Sequence, residues 1–210
     1  MLLIDMTLSE FNKSIASSSP APGGGSVAAT CAAMGIGLTK MVALLTTGKK
    51  KYAEHDALIQ KIIEDAETLH DQFIKLIDLD TEAYNGVSAV FSMPKETDDE
   101  KSARSAAMQA ALKNAAKVPL DVMNLGFDAL KLTQMAVGKT NVNAASDLGV
   151  AALNLDAAVK SAWLNVLINI AGIKDNEFVS GYRQKGQIMV DHANELAHSI
   201  YQTILKDINP

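Results

Sequence analysis

The segment from Ala53 to Val90 places the strongest limit on what this chain can fold into. Its apolar side chains recur at spacings of three and four residues, which is the period of an amphipathic α-helix. They are Ile59, Ile62, Ile63, Ala66, Leu69, Phe73, Leu76, Ile77 and Leu79. The segment therefore predicts one long helix, with a bend expected near its end at Gly86.

Two shorter helices are predicted ahead of it. The sequence "TLSE" at Thr7 has the form of a capping box, in which a threonine side chain and a glutamate three residues later satisfy the first backbone amides of a helix. This helix should end near Ala16, where a Ser/Pro/Gly loop begins. Ser26 is then predicted to cap a second helix that continues to about Thr46.

The chain between Pro94 and Val137 is also predicted to be helical. Pro94 ends the preceding helix, and the acidic residues from Thr97 to Glu100 are typical of a first helical turn. A proline inside a helix costs about 3 kcal/mol or more, so a kink or a new helix is expected at Pro119.

Two further helices complete the predicted architecture. Ser146 is the expected cap of a helix from Asp147 to about Ile173, and the last helix should run from Asp175 to Lys206. No segment alternates polar and apolar residues over a useful strand length. The sequence therefore predicts an all-α fold, a multihelical bundle that forms a single domain over residues 1–210.

Composition limits the classes of function. The net charge of −5 argues against a general nucleic-acid binder, which is normally basic. Cys31 is the only cysteine, so no internal disulfide can form, and a reducing cytoplasm is the expected compartment. The apolar stretches 26–45 and 150–172 are interrupted by charged residues, and we expect buried helices rather than membrane spans.

Three consecutive glycines precede the second helix. Gly23, Gly24 and Gly25 let a ligand approach bare backbone amides, and the start of the following helix favours an anion or a carbonyl group. A flexible connector would explain the same composition. The spacings of a P-loop and of a dinucleotide-binding glycine motif are absent.

Charged residues at two places have both a structural and a functional interpretation. The lysines from Lys49 to Lys51 are either a solvated helix end or a patch that attracts a polycarboxylate substrate. Asp80 and Tyr84 are four residues apart and share one helix face. Asp80 is a solvated side chain or, if it faces a cleft, a candidate for proton transfer, because desolvation would raise its pKa.

Amides are concentrated at two further places. Asn141 and Asn143 precede Asp147 at a helix start, where ordinary capping is an alternative explanation. Asn165 and Asn169 lie among branched apolar residues and need hydrogen-bond partners if they are buried. The four histidines are scattered, and no metal site or nucleophile–histidine pair is predicted.

Several short stretches occur together in an informative order. They are "PAPGGGSVAA", "LTTGKKKY", "DTEAYNGV", the "PK" of Pro94 and Lys95, "KVPL", "SDLGVAA" and "NVLINI". Each is weak alone, but together, over about residues 5–180, they resemble the cyclodeaminase/cyclohydrolase family of folate enzymes. Thr140 and Val142 stand where that family carries glycine and proline.

The resemblance implies an all-α homodimer that associates through long helices. Its substrate would be a tetrahydrofolate derivative, which can carry a polyglutamate tail. No metal ion would be required, and neither a nucleic acid nor a membrane is expected as a partner. The reaction would be conversion of formiminotetrahydrofolate to methenyltetrahydrofolate with release of ammonia, or hydrolysis of methenyltetrahydrofolate to formyltetrahydrofolate. A non-catalytic folate-binding or dimerisation module is the alternative. Asp80 with Tyr84 would be catalytic, and the implied substrate-binding residues are Gly23, Gly24, Gly25, Ser26, Lys49, Lys50, Lys95, Asn141, Asn143 and Asp147.

Overall fold

The computed structural model describes residues 1–209, and no strand occurs among them. Six α-helices and three short 3-10 turns account for most of this chain, which confirms the all-α prediction. The helices are α1 (Leu8–Ile15), α2 (Gly24–Leu44), α3 (Asp56–Phe91), α4 (Asp98–Ala136), α5 (Ala145–Ile170) and α6 (Asn176–Ile208). The turns are Leu3–Asp5, Lys50–His55 and Val142–Ala144.

Side-chain caps begin three of the helices, as the sequence pattern indicates. Thr7 and Glu10 form the predicted capping box at α1. Thr97 and Glu100 form a second one at α4. The Asp175 side chain accepts a hydrogen bond from the backbone amide of Phe178 at the start of α6. Each cap satisfies backbone amides that have no partner inside the helix.

The caps predicted at two serines are wrong. α2 begins three residues earlier than expected, with Gly23 as its N-cap, and Ser26 is completely buried inside the first turn. α5 begins at Ala145 with Ala144 as its N-cap, so Ser146 lies within the helix. At α2, a partner on another helix replaces local capping, because Asp80 of α3 accepts the Ser26 amide hydrogen.

The break expected at Pro119 is also absent, because α4 is one helix from Asp98 to Ala136 with Pro119 buried inside it. A proline has no N–H to donate to the carbonyl four residues earlier, here that of Ala115. The Asn169 side chain of α5 donates to that carbonyl instead, with an Nδ2–O distance of 3.0 Å. α3 likewise continues past Gly86 to Phe91.

The helices of the bundle alternate in direction around α2. Cross-helix contacts pair Ser26 with Asp80 and Lys40 with Glu67, so α2 and α3 are antiparallel. A methyl group on Gly35 would lie 2.8 Å from Leu155, and one on Gly24 would lie 3.2 Å from Asn165, so α5 packs tightly and antiparallel against α2. Close packing of small residues therefore holds α2 between its neighbours.

α2 connects the two ends of the bundle. Its 21 residues span about 30 Å at 1.5 Å per residue. By length and composition α2 could cross a membrane, but half of its most apolar stretch is buried within the chain itself. Groups at the first turn of α2 and groups beyond its last turn are therefore separated by about 30 Å.

Candidate active site

Asp80 is held at the start of α2 by Ser26. The Ser26 amide donates to Asp80 Oδ2 over 2.8 Å, and the Ser26 hydroxyl lies 3.2 Å from the same oxygen. The hydroxyl also donates to the backbone carbonyl of Ile77 over 2.8 Å. Ser26 was predicted to bind substrate, but it has no exposed surface and positions the Asp80 carboxylate instead.

Gly25 is a glycine because the Asp80 carboxylate occupies the space of a side chain. A Cβ atom at Gly25 would lie 2.0 Å from Asp80 Oδ1 and 2.6 Å from Oδ2. Gly23 is different, because a Cβ there would meet only Pro20 O, at 3.7 Å. The close approach of α3 to the first turn of α2 therefore explains why position 25 must be a glycine. A flexible connector would not explain this requirement.

The pKa of Asp80 is raised above its ordinary value. Burial of the carboxyl group is the largest cause, since it disfavours the charged form. The hydrogen bonds from the Ser26 amide and hydroxyl act in the opposite direction and lower the pKa, but they do not cancel the effect of burial. A carboxyl group tuned in this way can accept and return a proton closer to neutral pH than an exposed aspartate.

A cavity of about 270 Å³ opens beside this carboxylate. Asp80 and Tyr84 both line it, together with Gly23 and Gly24, so the structure brings together the predicted catalytic pair and part of the glycine loop. The other lining residues come from the loop before α2 and from α3, α4 and α5: Pro20, Ala21, Thr81, Val87, Ala115, Asn165, Ile168 and Asn169.

Two asparagines of α5 supply the polar wall opposite Asp80. Asn169 Nδ2 donates to the carbonyl oxygens of Ala115 and Asn165, at 3.0 and 2.9 Å. Asn165 Nδ2 donates to Ser161 O over 2.8 Å. Because the amide hydrogens point to backbone carbonyls, the amide oxygens are the groups that can accept from a ligand. The sequence left two interpretations for both asparagines, bracing of loops or contact with a heterocycle, and neither residue was among the predicted site residues.

Pro119 does not line the cavity, but it supports this wall in a way that sequence reasoning missed. Its missing N–H leaves the Ala115 carbonyl available to Asn169, which fixes the orientation of the Asn169 amide at the cavity. The signal was present in "KVPL", because a proline inside a helical pattern frees one carbonyl. The sequence alone could not show which side chain would take it.

Four of the remaining predicted binding residues, and Asn141 with them in sequence, lie at the other end of α2; Lys95 does not. Lys49 and Lys50 are exposed in the turn that follows α2, and Asn143 is exposed and Asp147 half-buried near the start of α5. Asn141 is buried, and its amide donates to Thr46 Oγ1 over 2.9 Å.

The loop that carries Asn141 is fixed by the side chain of Tyr52 and by its own side chains. Tyr52 accepts the amide hydrogen of Val142 over 3.1 Å, and Asn141 Oδ1 accepts that of Asn143 over 3.2 Å. Thr140 is buried and donates to Ala136 O over 2.9 Å. These bonds hold the loop firmly although Thr140 and Val142 replace the family's glycine and proline.

Within one chain, therefore, the predicted site is divided. Asp80 and the glycine loop are at the first turn of α2, and the Lys49 and Asn141 groups are beyond its last turn, about 30 Å away. Lys95 lines neither region. It borders a separate concavity of about 330 Å³ together with Arg104 and Lys174.

Two other kinds of site are weaker candidates. A groove of about 640 Å³ between α4 and α6 is larger than the Asp80 cavity but more open, and it is lined by Asp121, Tyr182 and surface charges. The pKa of Tyr182 in this groove is raised, first by burial and then by the charge of Asp121, so it lies further from neutral pH.

Among residues 1–209 no three His, Cys, Asp or Glu side chains are grouped to hold a metal ion.

Comparisons with known proteins agree with this geometry. The family model described as formiminotransferase-cyclodeaminase matches residues 7–187. The chain is 38% identical over 203 residues to a methenyltetrahydrofolate cyclohydrolase of Methylorubrum extorquens, covering 97% of this chain and 98% of that protein. It is 32% identical to the formimidoyltransferase-cyclodeaminase of Gallus gallus over 92% of this chain, but only 36% of that protein is covered.

A solved structure extends the similarity to the fold. The crystal structure of a formiminotetrahydrofolate cyclodeaminase from Thermotoga maritima matches with a TM-score of 0.80 and 30% identity, covering 97% of this chain and 96% of that one. Sequence and fold thus agree over nearly the whole length. The chain belongs to the formiminotransferase-cyclodeaminase family.

Proposed function

We propose that this chain is a folate one-carbon enzyme that hydrolyses methenyltetrahydrofolate to formyltetrahydrofolate in the Asp80 cavity. The observation that carries this proposal is the partly buried Asp80 carboxyl group, which has a raised pKa and opens onto a cavity with polar walls. The full-length similarity to a methenyltetrahydrofolate cyclohydrolase supports the choice of reaction.

The proposed chemistry needs one group that first accepts and then donates a proton. Water attacks the amidinium carbon between N5 and N10, and the Asp80 carboxylate accepts a proton from it. The resulting tetrahedral adduct breaks its bond from carbon to N5 while the protonated Asp80 returns the proton to N5. The adduct's remaining hydroxyl proton is released to solvent, which leaves a neutral formyl group on N10. Proton transfer of this kind contributes about 100-fold to 10,000-fold to a rate.

Orientation supplies the other part of the proposed mechanism. The amide oxygens of Asn165 and Asn169 can accept hydrogen bonds from the reduced pterin, and Tyr84 lies one helical turn from Asp80. A substrate held so that its amidinium carbon faces Asp80 reacts without the entropy cost of finding that arrangement. Every step uses side chains of the cavity, and none requires a metal ion.

Cyclodeamination is the second candidate, favoured by the close fold match to a formiminotetrahydrofolate cyclodeaminase. Here N10 attacks the carbon of the protonated formimino group and gives its own proton to Asp80, which then transfers that proton to the departing amino group as ammonia leaves. The same carboxyl group performs both transfers. The two reactions differ in whether water or N10 is the nucleophile, so access of water to the cavity decides between them.

One experiment tests both reactions and the non-catalytic alternative. The purified protein is incubated with methenyltetrahydrofolate and, separately, with formiminotetrahydrofolate, and the methenyl chromophore is followed as it disappears or forms. Loss of the chromophore well above the uncatalysed rate supports the hydrolase, and its formation with release of ammonia supports the deaminase. Binding of both folates without turnover of either would reduce the chain to a folate-binding module.

We also propose that the chain forms a homodimer through one apolar face, which we name the α2/α5 face. Its side chains are between 36% and 72% exposed: Val27, Met34, Met41 and Leu44 on α2, and Val150, Leu153, Leu164 and Ile168 on α5. Those on α2 recur mostly every seven residues, as in helices that pack on a partner helix. Monomeric proteins rarely expose so continuous an apolar surface.

The proposal extends to the substrate tail and the compartment. The exposed lysines from Lys49 to Lys51 suit the carboxylates of a folate tail, including a polyglutamate tail. The single half-buried thiol of Cys31 suits a cytoplasmic enzyme.

A further inference from the structure

Two walls of the Asp80 cavity come from helices on different sides of α2. A methyl group on Gly25 would overlap the Asp80 carboxylate of α3, whereas a methyl group on Gly24 would lie 3.2 Å from Asn165 Nδ2 of α5. Asp80 therefore lines the cavity from one side, and Asn165 and Asn169 line it from the other. A ligand in this cavity lies between a carboxylate and two amides.

The Asn169 amide is fixed so that only its oxygen is available to a ligand. Its Nδ2 donates one hydrogen to Ala115 O over 3.0 Å and the other to Asn165 O over 2.9 Å. Turning the amide over would place Oδ1 against both carbonyl oxygens, and two acceptors form no hydrogen bond. Asn165 is less restricted, because among the described residues its Nδ2 donates only to Ser161 O. Asn169 therefore presents an acceptor and cannot serve as a donor.

Pro119 is the reason that the Ala115 carbonyl depends on Asn169. In a regular helix the amide of residue 119 would donate to that carbonyl, but a proline has no N–H. Ala115 is buried, so its carbonyl would lose free energy without a donor. The Asn169 side chain supplies the donor and is thereby kept in one orientation.

We infer that Asn169 determines which oxidation state of a pterin ring the cavity accepts, by recognising a hydrogen on N8. The inference rests on the proposed folate function, in which N5 of the pterin faces Asp80. N5 and N8 are opposite corners of one six-membered ring, so a ring with N5 toward Asp80 directs N8 toward the asparagines. Tetrahydrofolate and 7,8-dihydrofolate carry a hydrogen on N8, which can donate to Asn169 Oδ1. The oxidised ring of folic acid has a bare N8, which would place two acceptors against each other.

The discrimination against the oxidised ring is a ratio of affinities. A site built to hydrogen-bond a ligand N–H rejects an analogue that lacks it, because the acceptor of the site is then left unpaired. Asn169 is half-buried and keeps some access to water. We therefore expect folic acid to bind about 10-fold to 100-fold more weakly than a folate with a hydrogen on N8.

Binding of two folates tests the role of Asn169. 7,8-Dihydrofolate and folic acid differ only in the hydrogens on C7 and N8, so the ratio of their dissociation constants reports on that edge of the ring. The ratio is measured by isothermal titration calorimetry for the wild type and for Asn169→Ala. Asn154→Ala is the matched control, because Asn154 of the same helix also donates to a backbone carbonyl, that of Val150, but does not line the cavity.

The expected ratios differ between the variants. The wild type and Asn154→Ala should bind dihydrofolate about 10-fold to 100-fold more tightly than folic acid. Asn169→Ala should bind the two folates with about equal affinity, because it has no acceptor left to distinguish them.

A second substitution separates ligand recognition from support of the helix. Asn169→Ala leaves the Ala115 carbonyl without a donor, so it should also lower the free energy of unfolding. Adding Pro119→Ala supplies an N–H to that carbonyl, so it should stabilise Asn169→Ala more than it stabilises the wild type. Discrimination at N8 should stay lost in the double variant, because the acceptor at position 169 is still missing. If Asn169→Ala does not fold, the double variant carries the same comparison.

A wild-type ratio near one would overturn the inference. Discrimination that survives in Asn169→Ala, or that returns when Pro119→Ala is added, would overturn it too, because Asn169 would then have only a structural role. Turnover of methenyltetrahydrofolate separates these failures from failure of the proposed function. A wild type that turns over this substrate without discriminating at N8 refutes only the role of Asn169, whereas a wild type that neither binds nor turns over any of these folates refutes the proposed function.

Discussion

Replacing Gly25 by alanine should displace the Asp80 carboxylate without changing its chemistry. The variant therefore tests how strongly turnover depends on the position of that carboxylate. The new methyl carbon would lie 2.0 Å from Asp80 Oδ1 and 2.4 Å from Cγ, whereas real Cβ atoms essentially never come within 3.0 Å of another atom. The carboxylate must therefore retreat by about 1 Å or more. Its bonds to the Ser26 amide and hydroxyl would lengthen beyond useful range.

The expected loss follows from this displacement. Misplacing a reacting group by about 1 Å can cost on the order of 100-fold in rate, so kcat of Gly25→Ala should fall by about that factor. Overpacking of the tight contact should also cost roughly 1–3 kcal/mol of unfolding free energy. The assay is steady-state turnover of methenyltetrahydrofolate, with stability measured by urea unfolding.

A control variant shows whether the loss acts through Asp80. Gly35→Ala overpacks α2 against Leu155 far from the cavity, so it should lose stability and keep kcat.

A double variant completes the test. Because Gly25→Ala acts on the carboxylate itself, adding it to Asp80→Asn should cost little further activity. Gly25→Ala with wild-type kcat, or losses that multiply in the double variant, would refute the reasoning.

Three other predictions follow from the same geometry. Ser26→Ala removes the hydroxyl that lowers the pKa of Asp80, so that pKa should rise further and the acidic limb of kcat should move to higher pH; a limb that stays in place contradicts the assignment. Burial raises the pKa of Asp80 in the folded state, so the ionised carboxylate lowers the free energy of unfolding when the pH is above that folded-state pKa. This loss of stability disappears when the pH is below the pKa of Asp80 in the unfolded chain. Asp80→Asn should accordingly be more stable than wild type to urea at neutral pH and equal to it in acid, and a variant that is less stable at neutral pH would speak against this origin of the shift. Replacing Lys49 and Lys50 by glutamine should weaken folate binding and flatten its salt dependence, whereas unchanged affinity and salt dependence would make the patch ordinary surface.

Helices were predictable from this sequence because their signals are local. The three-and-four spacing of α3 and the capping boxes at Thr7 and Thr97 depend on residues within a few positions of each other. The predicted helix starts at Ser26 and Ser146 were wrong. At Ser26 a carboxylate from another helix took over the function of a local cap, which no local pattern records.

The geometry of the site within one helix could be predicted, but the geometry between helices could not. Asp80 and Tyr84 share a face because both belong to one helix, but the contact of Gly25 with Asp80 depends on how α2 and α3 are aligned. Periodicity carries no information about alignment between helices. The same limit hid the distance between Asp80 and Lys49, which follows only from the direction of α2 in the bundle. Pro119 was misread because its compensating partner, Asn169, comes from another helix.

The central claim is that the Asp80 carboxyl group transfers the proton in folate turnover, and Asp80→Asn tests it most directly. The substitution keeps the size of the side chain and an oxygen that can accept the Ser26 amide hydrogen, but it removes proton exchange. Turnover of methenyltetrahydrofolate at saturation should fall by about 100-fold to 10,000-fold, while the dissociation constant for the folate changes far less. Turnover within a few-fold of wild type, with the folate still bound in the cavity, would contradict the account.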